Sequence, residues 1–254
     1  MTGLTGQTAG TDAIAARLGE VQAAIAAACH AANRQANEVR LVAVSKTHPA
    51  QDVVAAVLAG QVDFGENRPE EANEKMPAVA AQLPPGSAIR WHMIGHIQSR
   101  KARHVIKGFA LIHSLDSLKL ADKLARLAAD EGRTLDVLLE VNVSGEASKY
   151  GWQAPDWQHS ATTRAALWED VRQVLALPEL RVHGLMTMAP LVADPEQVRP
   201  VFAALRALRD ALREDFPQAA WHELSMGMSD DFPVAIGEGA TIIRIGRAIF
   251  GARE

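Results

Sequence analysis

The chain has 254 residues, 48% of them hydrophobic, 22% charged and 5% aromatic, with a formal net charge of −4. That much apolar material excludes a disordered or collagen-like chain, and the mild acidity offers no basic stripe for a polyanion to follow, so nucleic acid is not an expected partner. Cys29 is the single cysteine, which rules out an internal disulfide and a cysteine-rich metal site and fits a reducing compartment, with Cys29 serving as a small apolar side chain.

The opening MTGLTGQTAGTD has neither the positive start nor the apolar core of a secretory leader. A disordered tail over 1–11 is expected, and no later run of about 18 residues lacks charge, so neither a membrane span nor membrane association is predicted and the cytoplasm is the expected location. From Asp12 on, Ile14, Leu18, Val21 and Ile25 recur at helical spacing and predict a first amphipathic helix. A β-branched run at 39–44 then precedes an Ala-rich stretch at 49–59, whose Pro49 suits a first helical turn. The alternation of strand and helix repeats as 62–65 and 69–83, 89–94 and 98–106, 109–113 and 117–131, 135–141 and 163–176, 181–186 and 196–214, 221–224 and a short helix near 230, and a last strand at 241–245. Residues 144–160 form a long loop with Gly145, Gly151, Pro155 and two tryptophans.

Eight short apolar strands with no hairpin signal suit parallel strands buried on both faces. They predict one α/β domain over 12–254, a (β/α)8 TIM barrel with an extra N-terminal helix, with a doubly wound open sheet as the main rival.

In such a barrel chemistry gathers at the C-terminal ends of the strands. Lys46 directly follows the apolar run Leu41-Val42-Ala43-Val44. Held there and partly desolvated, its amine has a lowered pKa and can form a Schiff base with an aldehyde; a solvated strand-end lysine is the plainer alternative. After the seventh and eighth strands, Ser225-Met226-Gly227-Met228-Ser229 and Gly246-Arg247 present N–H groups and hydroxyls where barrels of this kind bind phosphate, unless the glycines serve only tight turns. An aldehyde anchor beside a phosphate anchor matches pyridoxal 5′-phosphate (PLP). Arg244, ending the last strand, is a cation that only donates; facing a pyridine nitrogen it keeps that nitrogen unprotonated and weakens the electron sink. A structural ion pair with Glu238 or Glu223 is the other reading of Arg244. His92 and Asn67 are candidates to line a ring pocket or to be satisfied core polar groups, and Met186 and Met188 to pack on a flat ligand or the core. His92 and His96 do not share a helical face, and no metal site is expected.

In order and spacing, LVAVSKTHP, FGENRPEEANEK, WHMIGHIQSRK, VNVSGEASKYG, HGLMTMAP, LSMGMSDDF and IRIGRAIFG resemble the pyridoxal phosphate homeostasis proteins, which are related to the N-terminal barrel of alanine racemase. The resemblance runs over 12–253. It implies a fold-type III PLP barrel with Lys46 in the internal aldimine, Arg244 facing the pyridine nitrogen, and the serines and glycines of the last two turns (Ser225, Gly227, Ser229, Gly246) on the phosphate. Arg247 departs from the Ser or Thr often found there, exchanging a hydroxyl for a cation. The implied role is to buffer PLP and deliver it to apoenzymes, with effects on amino-acid and keto-acid balance, rather than to turn over a substrate. Alanine racemases take a second acid/base tyrosine from an additional domain of the partner subunit, whereas the only tyrosine here is Tyr150, in the loop after the fifth strand, where packing is its expected use. Without that domain a monomer is expected. A small amino-acid racemase, and a barrel for another phosphorylated metabolite, are the competing functions.

Overall fold

Five apolar side chains, Ile14, Leu18, Val21, Ile25 and Cys29, lie on one buried face of α1 (Leu4–Ala31). The computed structural model describes residues 4–251, and α1 already begins at Leu4, inside the stretch 1–11 expected as a disordered tail, of which 1–3 lie outside the described residues. After α1 come β1 (Arg40–Val44), α2 (Ala50–Leu58), β2 (Asp63–Glu66), α3 (Pro69–Ala80), β3 (Arg90–Met93) and β4 (Phe109–Leu115). Then follow α4 (Leu118–Asp130), β5 (Leu135–Asn142), a two-residue β6 (Trp152–Gln153), α5 (Ala161–Leu175), β7 (Leu180–Met186) and α6 (Arg199–Asp215). The series ends in β8 (Glu223–Ser225), α7 (Phe232–Gly237), β9 (Ile242–Ile245) and α8 (Arg247–Phe250).

The strands pair in the order β4-β3-β2-β1-β9-β8-β7-β5, and a β4–β5 pairing closes the ring. Every pairing is parallel. This closed eight-strand barrel excludes the open-sheet alternative. β6 lies in the loop of 144–160 and pairs with β5 at Val141 and Asn142, just beyond the Glu140–Met186 register that ends the β5–β7 ladder.

Alternation along each strand divides the side chains between two environments. Ala43, Ile112, Leu139, Leu185 and Ile243 join the large apolar layer beneath the helices, whereas Val42, Leu111, Leu138, Met186 and Ile242 form a separate cluster inside the ring. Two residues further along their strands, His113, Glu140 and Arg244 share the inward side, nearer the C-terminal mouth. Helix α4 shows how the outer layer is built: Ser117 caps it by accepting from the Leu120 N–H, and Leu120, Ala121, Leu124, Ala125 and Ala128 make one buried face.

One predicted helix takes another form. After β3, Ser99–His104 is a 3₁₀ segment rather than the α-helix expected over 98–106. Its buried Ala102 is followed three residues later by buried Val105, a spacing that eclipses side chains in a 3₁₀ turn. At the other end of the chain, α1 is tied to the last two helices. Arg17 Nε donates to the Ile249 carbonyl at 2.7 Å, and Arg34, in the turn that follows α1, donates to the carbonyls of Ile236 and Ala240 at 2.9 and 2.8 Å.

Candidate functional site

Lys46 is half-buried on the first residues beyond β1. The turn that carries it is held from α3 and β2. Ser45 Oγ donates to Glu66 Oε1 at 2.7 Å; Lys75 Nζ donates to the Ser45 carbonyl at 2.8 Å and to Glu66 Oε1 at 2.7 Å; the Thr47 N–H donates to Glu71 Oε1 at 2.7 Å. Burial pushes the Glu66 carboxyl up and Lys75 pulls it back. Thr47 has φ 67°, a left-handed conformation that a β-branched residue adopts only when its surroundings impose it. The motif FGENRPEEANEK thus does local work the sequence did not disclose: Glu66, Glu71 and Lys75 clamp the backbone on either side of Lys46.

Arg244 points into the barrel and is 5% exposed. One terminal nitrogen donates to Ser225 Oγ at 2.6 Å and the other to the Thr187 carbonyl at 2.9 Å. The ion-pair reading of Arg244 falls, because Glu238 is held by Arg199 and Arg206, and Glu223 by Arg40 and Thr241. Burial lowers its pKa to about 10, against the pull of Glu140 and Asp231, so it remains a cation at neutral pH.

From Ser225 a line of hydrogen bonds runs down the barrel interior. Ser225 Oγ lies 2.8 Å from His113 Nδ1, His113 Nε2 lies 2.9 Å from His92 Nδ1, and His92 Nε2 lies 2.8 Å from Asp63 Oδ1. Asp63 is buried, which raises a carboxyl, but hydrogen bonds from His92 and Arg90 outweigh that and hold it at about 2. Burial keeps His92 and His113 below the usual histidine range, hence neutral. The ends then fix every proton: a carboxylate only accepts, a guanidinium only donates, and a neutral imidazole does one at each nitrogen. Arg244 donates to Ser225, Ser225 to His113, His113 to His92 and His92 to Asp63. His92 therefore has both ring nitrogens engaged below the mouth, and the Ser225 hydroxyl hydrogen is committed to His113. Both residues support Arg244, an arrangement different from the pocket wall and phosphate contact expected of them.

The turns after β8 and β9 meet beside the end of β1. Gly227 has φ 95°, and a Cβ there would sit 2.7 Å from Ala235 Cβ, so the chain passes α7 closely only as glycine. Its carbonyl accepts from the Arg244 N–H at 3.0 Å. A Cβ on Gly246 would lie 3.1 Å from the Val44 carbonyl, two residues before Lys46. Ser229 is half-buried on the first of these turns, and exposed Arg247 pairs across the rim with Asp230 at 2.7 Å, placing its cation beside a carboxylate. Asn67 is half-buried, its backbone pressed against Gly95. Met186 is fully buried in the interior cluster below the mouth, whereas Met188 is 38% exposed. Tyr150, expected to pack within its loop, is largely exposed and stacks on His96 at 3.9 Å between ring centroids, with His96 bonded to Asp116 at 2.8 Å. A cavity of about 290 Å³ opens at the opposite, N-terminal end of the barrel, where Arg90 pairs with Asp63 and Arg40 with Glu223. Strand N-termini in barrels serve stability, and these walls are already paired.

The family model of the alanine racemase N-terminal domain matches residues 21–254. The chain is 44% identical over 241 residues to the pyridoxal phosphate homeostasis protein of Pseudomonas aeruginosa, covering 95% of this chain and 96% of that one. It is 40% identical over 238 residues to that of Aquifex aeolicus, covering 94% and 97%. The chain belongs to the pyridoxal phosphate homeostasis protein family. The structure of PipY from Synechococcus elongatus PCC7942 with PLP bound, at 36% identity, superimposes with a TM-score of 0.78 over 94% of this chain and all of that one. The family's alanine-racemase-like barrel is thus the fold of this chain. Among the described residues no helix is long and apolar enough to cross a membrane.

Proposed function

We propose that this chain binds PLP, with Lys46 as the covalent anchor of its aldehyde, and that it stores the cofactor and passes it to apoenzymes in the cell without turning over a substrate. The observation that carries this reading is the setting of Arg244. It lies on β9, in register with Val42 of the strand that leads to Lys46, and it is held as an inward cation by a neutral chain ending at Asp63. The residues present fit the group: an amine on a clamped turn, an inward guanidinium for the ring nitrogen, and at Gly227 and Gly246 two close backbone passages that a Cβ would obstruct. Bound there, PLP supplies an electrophilic aldehyde conjugated to a ring that can withdraw electrons. Arg244 has only donors to offer the ring nitrogen, which restrains that withdrawal and favours holding the cofactor over carbanion chemistry. Asn67 and the turns bearing Gly227, Ser229, Gly246 and Arg247 are assigned to the ring and phosphate, Met186 to the apolar floor, and Ser225 and His92 to the support of Arg244.

Titration of the purified protein with PLP is expected to raise a visible absorption band that Lys46→Ala abolishes, with borohydride fixing the cofactor to Lys46 in a peptide map. Absence of the band in the unsubstituted protein would overturn the reading. Sustained solvent deuterium exchange at the α-carbon of alanine or serine, at rates on the order of 1 s⁻¹ or faster, would replace storage with racemase activity.

A further inference from the structure

Glu140 has no part in the function just described, yet its position calls for one. It faces inward on β5, two residues beyond Leu138 of the interior cluster, and is 5% exposed. Its Oε2 is fully buried and, among the described residues, has no hydrogen-bond partner. Glu66 Oε2 shares that condition, but the other oxygen of Glu66 is held by Ser45 and Lys75. Around Glu140 none of the described residues supplies a donor to its bare oxygen. The terminal nitrogens of Arg244 donate to Ser225 and Thr187, the Asp116 carboxylate repels it, and the backbone of Gly151 presses on its stem, a Cβ there falling 3.1 Å from Glu140 Cγ. A buried oxygen left bare destabilises a fold, and proteins retain such groups where function supplies the partner.

The ring order tells which part of a ligand Glu140 meets. β5 stands four strands from β1 in either direction around the barrel, so Glu140 occupies the wall opposite the strand leading to Lys46. Lys46, Arg244 and the two glycine turns belong to β1, β9 and β8, which are neighbours. In PLP the phenolic oxygen lies on the side of the aldehyde-bearing carbon away from the phosphate arm. With aldehyde and phosphate both anchored on the β1-β9-β8 side, that oxygen is the polar atom left for the facing wall. We propose that Glu140 is a direct contact of the bound cofactor, with one proton shared between its Oε2 and the phenolic oxygen. The inference rests on the reading that the site takes PLP.

The test compares the full chain with its Glu140→Gln and Glu140→Leu variants, each titrated with PLP and with 3-deoxy-PLP, which lacks the phenolic oxygen. Affinity for PLP is expected to fall about tenfold in Glu140→Leu, the worth of one hydrogen bond to a charged group, with a smaller fall and a displaced visible band in Glu140→Gln. Affinity for 3-deoxy-PLP is expected to be the same in all three proteins. Without ligand, both variants are expected to melt at or above the temperature of the unsubstituted protein, because the bare carboxyl is gone. Equal loss of affinity for both ligands, or no loss for either, would overturn the contact while leaving PLP binding intact. Failure of the unsubstituted protein to take up PLP would overturn both readings.

Discussion

The line from Arg244 to Asp63 makes a demand on every member, since each supplies one proton or accepts one. Replacing His113 with phenylalanine preserves bulk but leaves the Ser225 hydroxyl and His92 Nδ1 without their partner inside the barrel. Each polar group left bare costs about 1–3 kcal/mol, so His113→Phe is expected to lower the urea midpoint markedly and to loosen Arg244, weakening PLP uptake together with stability. Protonation acts here with a definite sign. Because burial depresses the pKa of His92 and His113 below 6.5 in the folded state, the unfolded chain binds the extra protons first. Their contribution is therefore complete above about pH 6.5 and is lost as the pH falls below it. Glu140 works in the opposite sense. Burial, reinforced by Asp116, raises it from 4.5 to about 7, so the folded protein keeps a proton that the unfolded chain has released, and stability is lost as pH rises through 7. The stability advantage of Glu140→Gln, measured by denaturant melts, is expected to be near zero at about pH 4 and to grow towards about pH 8. A constant difference across that range would mean that the carboxyl does not titrate there.

Elements were more legible than the bonds between them. Each barrel strand shows itself as a short apolar run, and Ser45-Lys46 and Ser225 through Ser229 are visible as polar interruptions at strand ends, so the mouth could be assembled from the sequence. Glu140 was not: Leu135 through Val141 carries two carboxylates, Asp136 and Glu140, at the same alternation, and nothing in the run tells that Asp136 stays half-exposed while Glu140 is buried. The His113–Ser225 bond joins residues 112 positions apart, and no local pattern announces it. The 3₁₀ segment after β3 departs from the expected α-helix without a sign in the sequence, because few apolar positions fall in 98–106 and three-residue and four-residue spacing cannot be separated over so short a stretch. That same region offers a test of how closely elements fit. A Cβ on Gly95 would meet the Asn67 carbonyl oxygen at 2.4 Å and its Cα at 2.7 Å. Because the obstruction is backbone, Gly95→Ala is expected to displace the loop after β2, costing about 1–3 kcal/mol and reducing PLP affinity through Asn67. Unchanged affinity in a folded Gly95→Ala protein would remove Asn67 from the site.

At the scale of the molecule, α1 fastens the chain's beginning to its end, since its apolar face packs into the outer layer and Arg17 and Arg34 bind carbonyls near the last two helices. Leu18 is 1% exposed at the centre of that face, and Leu18→Ala is expected to cost about 2–5 kcal/mol in chemical denaturation while leaving the PLP band in place, because Leu18 belongs to the outer apolar layer and not to the cluster inside the ring. Loss of the band with the fold intact would tie α1 to the site. Strand count alone does not separate a barrel from an open sheet, since both are built from the same alternating units; the motifs' resemblance to a barrel family favours the ring, and β4 meeting β5 closes it. That meeting also governs how the protein fails. A ring of eight strands has neither a first nor a last, so among these strands no row of unsatisfied amides and carbonyls waits to recruit another chain. Substitutions that loosen the mouth leave that continuity untouched, and their products can be purified and compared in solution instead of being lost to fibrous or amorphous precipitate.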